Sequence, residues 1–331
     1  MISAPAARAA HSAPSGSRHR LARVLRFPLV RIVLATLVVS AAMNAARAAL
    51  KAAGLSSERG VPHRLALTLL GTCATIAVVH AAYLTYVRYL EGRPASELAA
   101  TGATRELALG AIIGAALFST AIAVLFAGGW YRVAGTNPWT AALTPLLAAA
   151  AAAYLEELIA RGILFRNLEE LLGSWLALTV TALLFGLAHL ANPNATIVGA
   201  LAIALEAGVL LGAAYMATRR LWLAMGIHFA WNFVQGGIFG MAVSGSTSRG
   251  ILRGELHGPT PLTGGAFGVE GSVVAVVVCL AATVPLIAIA RREGNVLAPL
   301  WRRRPTMADV PQLRTTAIFN SASAADGGES P

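Results

Sequence analysis

Three groups of polar side chains stand in otherwise apolar sequence at spacings that could do chemistry. In YLEELIARGILF, residues 154–165, Glu156, Glu157 and Arg161 follow a run, 141–155, that has no charged residue. Downstream, FGLAH holds Phe185 and His189, and HFAWN holds His228 and Asn232; each pair is four apart and so shares one helix face. A carboxylate with an imidazole can take a proton from water. An imidazole with a carboxamide NH2 can donate to an oxygen that gains negative charge. Together these are the parts that amide hydrolysis needs.

The charges need an explanation because each costs about 2.5 to 3.5 kcal/mol near a bilayer centre, so such residues face a cavity or a partner. Glu157 and Arg161 are four apart in the favourable acid-before-base order, and an ion pair accounts for both. Glu156 is turned about 100 degrees from its neighbour on a helix, so Arg161 cannot serve both carboxylates. Glu156 is thereby left for another partner.

The elements that must position these groups are membrane helices. The chain has 331 residues, 56% hydrophobic and 12% charged, a composition too apolar for an ordinary soluble domain. Apolar runs near the length of a span fall at about 29–46, 65–87, 107–128, 140–160, 175–192, 195–217, 221–240 and 272–290. The expected fold is an all-α polytopic transmembrane bundle of about eight spans, since lipid satisfies no backbone group. Gly173 marks the break between the fourth and fifth runs. Glu157 precedes it by 16 residues and His189 follows it by 16, so an antiparallel hairpin would bring both to one depth, about 24 Å from the turn.

The net charge of +11 comes from 26 Lys and Arg against 15 Asp and Glu, with basic residues gathered in the tails and between apolar runs. This is a topological signal and not a nucleic-acid footprint. Arg18, Arg20, Arg23 and Arg26, with Arg88, Arg93, Arg166, Arg219, Arg220, Arg291 and Arg292, favour a cytoplasmic N-terminus; Arg47, Lys51, Arg59 and Arg64 oppose it. The basic region before the first run exceeds the usual leader length, so that run is read as a span and not as a cleaved signal peptide. Residues 1–25 and 293–331 are expected as disordered tails around a membrane domain at 26–292. An Ala- and Arg-rich composition points to a bacterial inner membrane. Cys73 and Cys279 sit in apolar runs and support neither a disulfide framework nor a cysteine metal site.

Other polar residues have plainer roles. His80 is expected to make an interhelical hydrogen bond, and Glu206 to find a structural ion-pair partner or line a cavity. Trp222 and Trp231 read as packing or interface anchors. Residues 236–271, rich in Gly, Ser and Thr, read as a long irregular loop able to shape a cavity. Its Glu255, His257 and Glu270 have no defensible metal spacing.

In order along the chain, EELIAR fits Glu-Glu-x-x-x-Arg, FGLAH fits Phe-x-x-x-His and HFAWN fits His-x-x-x-Asn. The chain resembles the CAAX prenyl protease and bacteriocin-processing (CPBP) family of intramembrane glutamic endopeptidases, related to the Ras-converting enzyme. The resemblance implies that Glu156 and His189 activate a water, that His228 and Asn232 form the oxyanion hole, and that Glu157, Arg161 and Phe185 support them. It implies no cofactor or metal, and as partners the lipid bilayer and a membrane-associated protein or peptide substrate. A prenylated substrate does not follow from the resemblance. The alternatives from other classes are a zinc-dependent membrane protease, though no His-Glu-x-x-His is present, a transporter or proton relay, and a non-catalytic immunity-type protein on the same fold.

Overall fold

The computed structural model describes residues 24–55 and 64–303. The expectations for residues 1–23 and 304–331 lie outside the described residues. Long runs of Ala, Leu, Val and Ile, with charged residues only toward their ends, give helices α1 (Pro28–Ala52), α2 (Arg64–Tyr86) and α3 (Ala103–Ala127). The motif region supplies α4 (Leu143–Glu157) and α5 (Arg166–Ala188), joined by a π-helical segment Leu158–Phe165. Then come α6 (Ile197–Ile203), a π segment Ala204–Gly208, α7 (Val209–Thr218), α8 (Trp222–Phe233) and its π extension Val234–Ile238. The last long helix is α9 (Val273–Arg292), started by Ser272, whose hydroxyl accepts from the Ala275 amide at 3.1 Å.

Six helical runs among the described residues are long and apolar enough to cross a membrane. One of them, Trp139–Ala191, holds two expected spans and breaks inside at Gly173, while Trp222–Ile238 is a shorter helical run. The apolar surface faces outward: Ile112, Val284 and Leu37 are 61% or more exposed, whereas Glu157 and Arg161 are buried. That inversion is what a lipid-embedded bundle requires, and the protein is an integral membrane protein.

Gly173 adopts φ 72° and ψ 169°, a conformation that costs an L-side chain dearly. A Cβ there would strike the backbone of Leu297 to Pro299. The chain after α9 lies on this turn, with the Leu297 amide donating to Ser174 Oγ at 2.8 Å and the Ser174 amide donating to Leu297 O at 3.0 Å. Residues 295–298, expected to belong to a disordered tail, are therefore bound to the bundle; the polar turn offers them backbone partners that composition alone does not reveal.

Helices α3 and α8 meet at backbone distance. A Cβ on Gly110 would strike Leu223 O and Gly226 Cα, and one on Gly114 would strike Ile227 O. The small-residue spacing GAIIG permits this approach, and it fixes the height of α8 and therefore of His228. One core cluster joins Phe118, Leu125, Leu211, Ile227 and Trp231; a second joins Tyr83, Leu158, Phe165, Met216 and Leu221.

The 236–271 stretch is less irregular than expected. Leu252–Leu256 forms a short strand, β2, antiparallel to β1 (Tyr131–Thr136), with Arg132 opposite Glu255 and their side chains 2.6 Å apart. Opposite charges on facing residues support the pair.

Past the end of α2, a charged knot holds the loop that follows it. Arg93 donates to both Glu97 oxygens at 2.8 Å and to Glu91 at 2.6 Å, and Arg166 donates to Glu91 at 2.6 Å. Tyr83 donates to Glu97 at 2.5 Å and lies 3.2 Å from Gly162 O. The knot therefore clamps α2 onto the segment that carries Arg161.

Candidate active site

Glu157 closes α4 with its side chain fully buried. Its Oε1 accepts from Arg161 at 2.7 Å, the four-residue pair expected from the sequence. Arg161 also donates to Ala207 O at 3.0 Å and Gly208 O at 2.9 Å, and its guanidinium lies 4.7 Å from the centroid of the Phe185 ring. A buried guanidinium needs this many acceptors, because each unmet donor carries a desolvation penalty. Both carbonyls lie in the π segment Ala204–Gly208, where the wider turn frees backbone acceptors.

The hairpin at Gly173 carries His189 back to the depth of the carboxylates. His189 Nε2 stands 4.0 Å from Glu156 Oε2, and His228 Nε2 stands 3.9 Å from the same oxygen. Helix α8 supplies His228, whose Nδ1 lies 3.0 Å from Glu157 Oε1. His189 Nδ1 lies 2.7 Å from Phe185 O. A carbonyl only accepts, so Nδ1 of His189 carries a proton, and in the neutral ring Nε2 is an acceptor turned toward Glu156.

The Phe185 ring packs against both imidazoles. Its centroid is 4.8 Å from that of His189 and 6.2 Å from that of His228. Asn232, one turn beyond His228, joins His189 in lining the cleft, and Glu156 is the more open of the two acids, with 38% of its side chain exposed. The structure thus gathers Glu156, Glu157, Arg161, Phe185, His189, His228 and Asn232 in one place.

Two clefts reach Glu156 and His189. One runs between the motif helix and α5, is walled by Ile159, Ala160, Leu164, Leu184 and Ala188, and opens beside lipid-facing Leu184. The other lies under residues 243–248 and is lined by Ser244, Ser246, Thr247 and Ser248 as well as Asn232. The loop therefore shapes the access to the site.

The other polar and aromatic residues singled out in the sequence take the following places. His80 Nδ1 is 2.7 Å from the Tyr154 hydroxyl, a contact between α2 and α4. Trp231 packs edge-on against Phe118 at 5.1 Å. Glu206, expected to find a structural ion-pair partner or to line a cavity, has no such partner among the described residues and does line a cavity, with His189, His228 and Asn232; its Oε2 has no hydrogen-bond partner. Arg161, the cation nearest in sequence logic, is already committed to Glu157 and to carbonyls. Glu270, read from sequence only as a poor metal candidate, lines that same cavity.

The family model described as type II CAAX prenyl endopeptidase Rce1-like matches residues 137–234, a stretch that contains all three motifs, and the match supports the CPBP and CAAX protease family. No curated protein and no solved structure matches the chain.

Proposed function

We propose, taking the chain as a membrane-embedded member of the CPBP and CAAX protease family, that it is an endopeptidase hydrolysing a peptide bond in a membrane-associated substrate with Glu156 as general base. The observation that carries the reading is the position of Glu156 Oε2, 4.0 Å from His189 Nε2 and 3.9 Å from His228 Nε2. Two acceptors at 4.0 Å, Glu156 Oε2 and His189 Nε2, are too far apart to bond directly and well spaced for one water to donate a proton to each.

In the reaction, Glu156 takes a proton from that water as its oxygen attacks the carbonyl carbon. The carbonyl oxygen becomes an oxyanion, met by the Asn232 NH2 and by Nε2–H of His228. Donation from that nitrogen requires the imidazolium, because Nδ1–H is already directed at Glu157. Glu157 compensates the positive ring, so the four groups Glu156, Glu157, Arg161 and His228 balance in charge. Collapse of the intermediate breaks the C–N bond, and the proton held by Glu156 passes to the leaving amine. His189, fixed by Phe185 O, orients the water and shares its proton during transfer.

The apolar cleft opening beside Leu184 suits a substrate that arrives within the membrane. Purified protein in lipid, assayed against membrane-anchored peptides, tests the reading: Glu156→Gln should lower turnover by about 10²- to 10⁴-fold. Turnover at the wild-type level in that variant would remove Glu156 from its role.

A further inference from the structure

A cleft that no step of the proposed reaction uses opens where α1, α2 and α4 meet. It holds about 380 Å³, and its wall includes Arg47 and Lys51 of α1, Thr75 of α2 and Leu155 of α4. Ala148, Ala152 and Glu156 line the substrate cleft on another face of α4. Arg31, near the start of α1, pairs with Glu170 close to the Gly173 turn. Arg47 lies 16 residues further on, about 24 Å along the helix, so the cleft is at the other end of the bundle.

The two cations lack a counter-charge. Arg47 and Lys51 are exposed, and neither has an ion-pair partner among the described residues. They stand four apart on one helix, where like charges repel across the turn. No carboxylate among the described residues lines the cleft to relieve them. In the sequence the same two residues run against the charge asymmetry that the other basic residues follow.

Helix α2 adds a spare donor at the level of these cations. Thr75 is only 9% exposed and lines the cleft, and its hydroxyl has no hydrogen-bond partner among the described residues. Thr120, Thr181 and Thr283, by contrast, donate to the carbonyl one turn back in their own helices. Two contacts fix the register of the antiparallel pair: the Tyr86 hydroxyl donates to Arg31 O, and a Cβ on Gly71 would meet Leu50 at 3.6 Å. Counting back three residues from Leu50 and on four from Gly71 puts Arg47 level with Thr75, and Lys51 one turn nearer the helix ends.

The rest of the wall is apolar, with Leu50, Leu67, Ile76, Ala151 and Leu155. Two cations and a hydroxyl near the end of a membrane helix, above an apolar trough, match a phosphate with an acyl chain beneath it. A zwitterionic headgroup would bring an ammonium for which the wall offers no carboxylate. The volume equals that of about a dozen waters at about 30 Å³ each, room for a phosphate and the upper part of a chain that continues into the bilayer.

We propose that this cleft binds an anionic phospholipid, with its phosphate between Arg47, Lys51 and the Thr75 hydroxyl and an acyl chain along Leu67, Ile76 and Leu155. The lipid then packs against the helix that ends in Glu156 and Glu157. The assignment rests on the membrane location and on no catalytic role, so its test needs no cleavage assay.

Full-length protein in detergent is titrated with phosphatidylglycerol or phosphatidylcholine; native mass spectrometry counts bound lipid, and thermal unfolding is followed in parallel. Phosphatidylglycerol should bind about tenfold or more tightly than phosphatidylcholine and raise the unfolding midpoint. Arg47→Gln combined with Lys51→Gln should bring the two lipids level. Arg105→Gln combined with Arg249→Gln removes two exposed cations outside the cleft and should keep the preference. Gly71→Leu fills the trough while keeping both cations, and should weaken phosphatidylglycerol binding. Equal affinity for the two lipids in the wild type, an unchanged preference without Arg47 and Lys51, or an equal loss in the control pair would overturn the site. Inorganic phosphate raising the midpoint as much as the lipid would assign the cations to a free anion and overturn it too. Should the Arg47 and Lys51 variant not unfold cooperatively, Gly71→Leu decides, and undiminished binding there would sink the proposal.

Discussion

One oxygen, Glu157 Oε1, serves both Arg161 at 2.7 Å and His228 Nδ1 at 3.0 Å. This carboxylate therefore ties the first motif to the third, and its neighbour Glu156 is left without an arginine or lysine partner, facing only the two imidazoles. Adjacent acids with the same chemistry acquire different work because one looks into the bundle and the other into the cleft.

The two glutamates should separate in experiment. Glu157→Gln leaves the Arg161 guanidinium buried without a carboxylate, and breaking a buried pair from one side costs about 3 to 5 kcal/mol. Glu156→Gln removes no ion pair with arginine or lysine and should leave thermal unfolding close to the wild type. Unfolding in detergent and peptide cleavage, measured on both variants, check the division; equal destabilisation by the two would contradict it.

The third motif should affect turnover more than binding. Asn232→Ala removes one donor from the oxyanion and should lower kcat by about 10²- to 10³-fold with little change in KM. An effect confined to KM would mean that Asn232 only contacts the substrate in its ground state.

Much of this arrangement is legible in the sequence. Charges in an apolar run stand out, four-residue spacings put Glu157 with Arg161 and His228 with Asn232 on shared faces, and Gly173 announces the hairpin that returns His189. Other features are not legible in the same way. The π segments at Leu158–Phe165, Ala204–Gly208 and Val234–Ile238 shift the helix register, and the periodicity of apolar residues does not encode such a shift. Strands β1 and β2 are separated by most of the bundle, so no local turn signal joins Arg132 to Glu255. Glu270 sits in a Gly-rich loop, where only the folded chain shows that it lines a cavity with Glu206. The GAIIG spacing at Gly110 and Gly114 was readable, because a pair of glycines four apart in an apolar run is itself a signal of close helix contact.

That contact yields a packing prediction. Gly114→Val places side-chain atoms against the Ile227 backbone, and overpacking of this kind costs about 1 to 3 kcal/mol. Displacement of α8 would also move His228, so cleavage should fall together with thermal stability. Wild-type stability in Gly114→Val would show that α3 and α8 do not pack at backbone distance.

The knot at Glu97 gives stability a pH dependence. Burial pushes this carboxyl up, but hydrogen bonds and charge from Arg93, with the Tyr83 hydroxyl and Arg166, outweigh it and hold the group below the ordinary 4.5. A folded-state value lower than the unfolded one means that the contribution is fully present above about pH 4.5 and is lost as pH falls through the folded value. Thermal unfolding of the wild type should therefore drop on acidification below that point, while Glu97→Gln should be less stable at neutral pH and flatter in acid. Parallel curves for the two proteins would remove Glu97 as the cause.

Water activation by protein groups can be distinguished from activation by a metal ion. A catalytic zinc site takes three protein ligands and keeps one open position. Here the available donors are His189 Nε2, His228 Nε2 and Glu156, and using all three as ligands would leave no nearby free carboxylate as base, since Glu157 is held by Arg161 and His228. Among the described residues, no three His, Cys, Asp or Glu side chains gather closely enough to hold a metal ion. The Nδ1 contacts of both histidines fit the proposed roles: His189 is held by Phe185 O as an acceptor toward water, and His228 by Glu157 as an imidazolium donor. Cleavage should therefore persist at the wild-type rate after prolonged treatment with strong chelators, and purified protein should carry no stoichiometric zinc by elemental analysis. Loss of activity on chelation with recovery on returning zinc would make His189 and His228 ligands and displace Glu156 as the base acting on a free water.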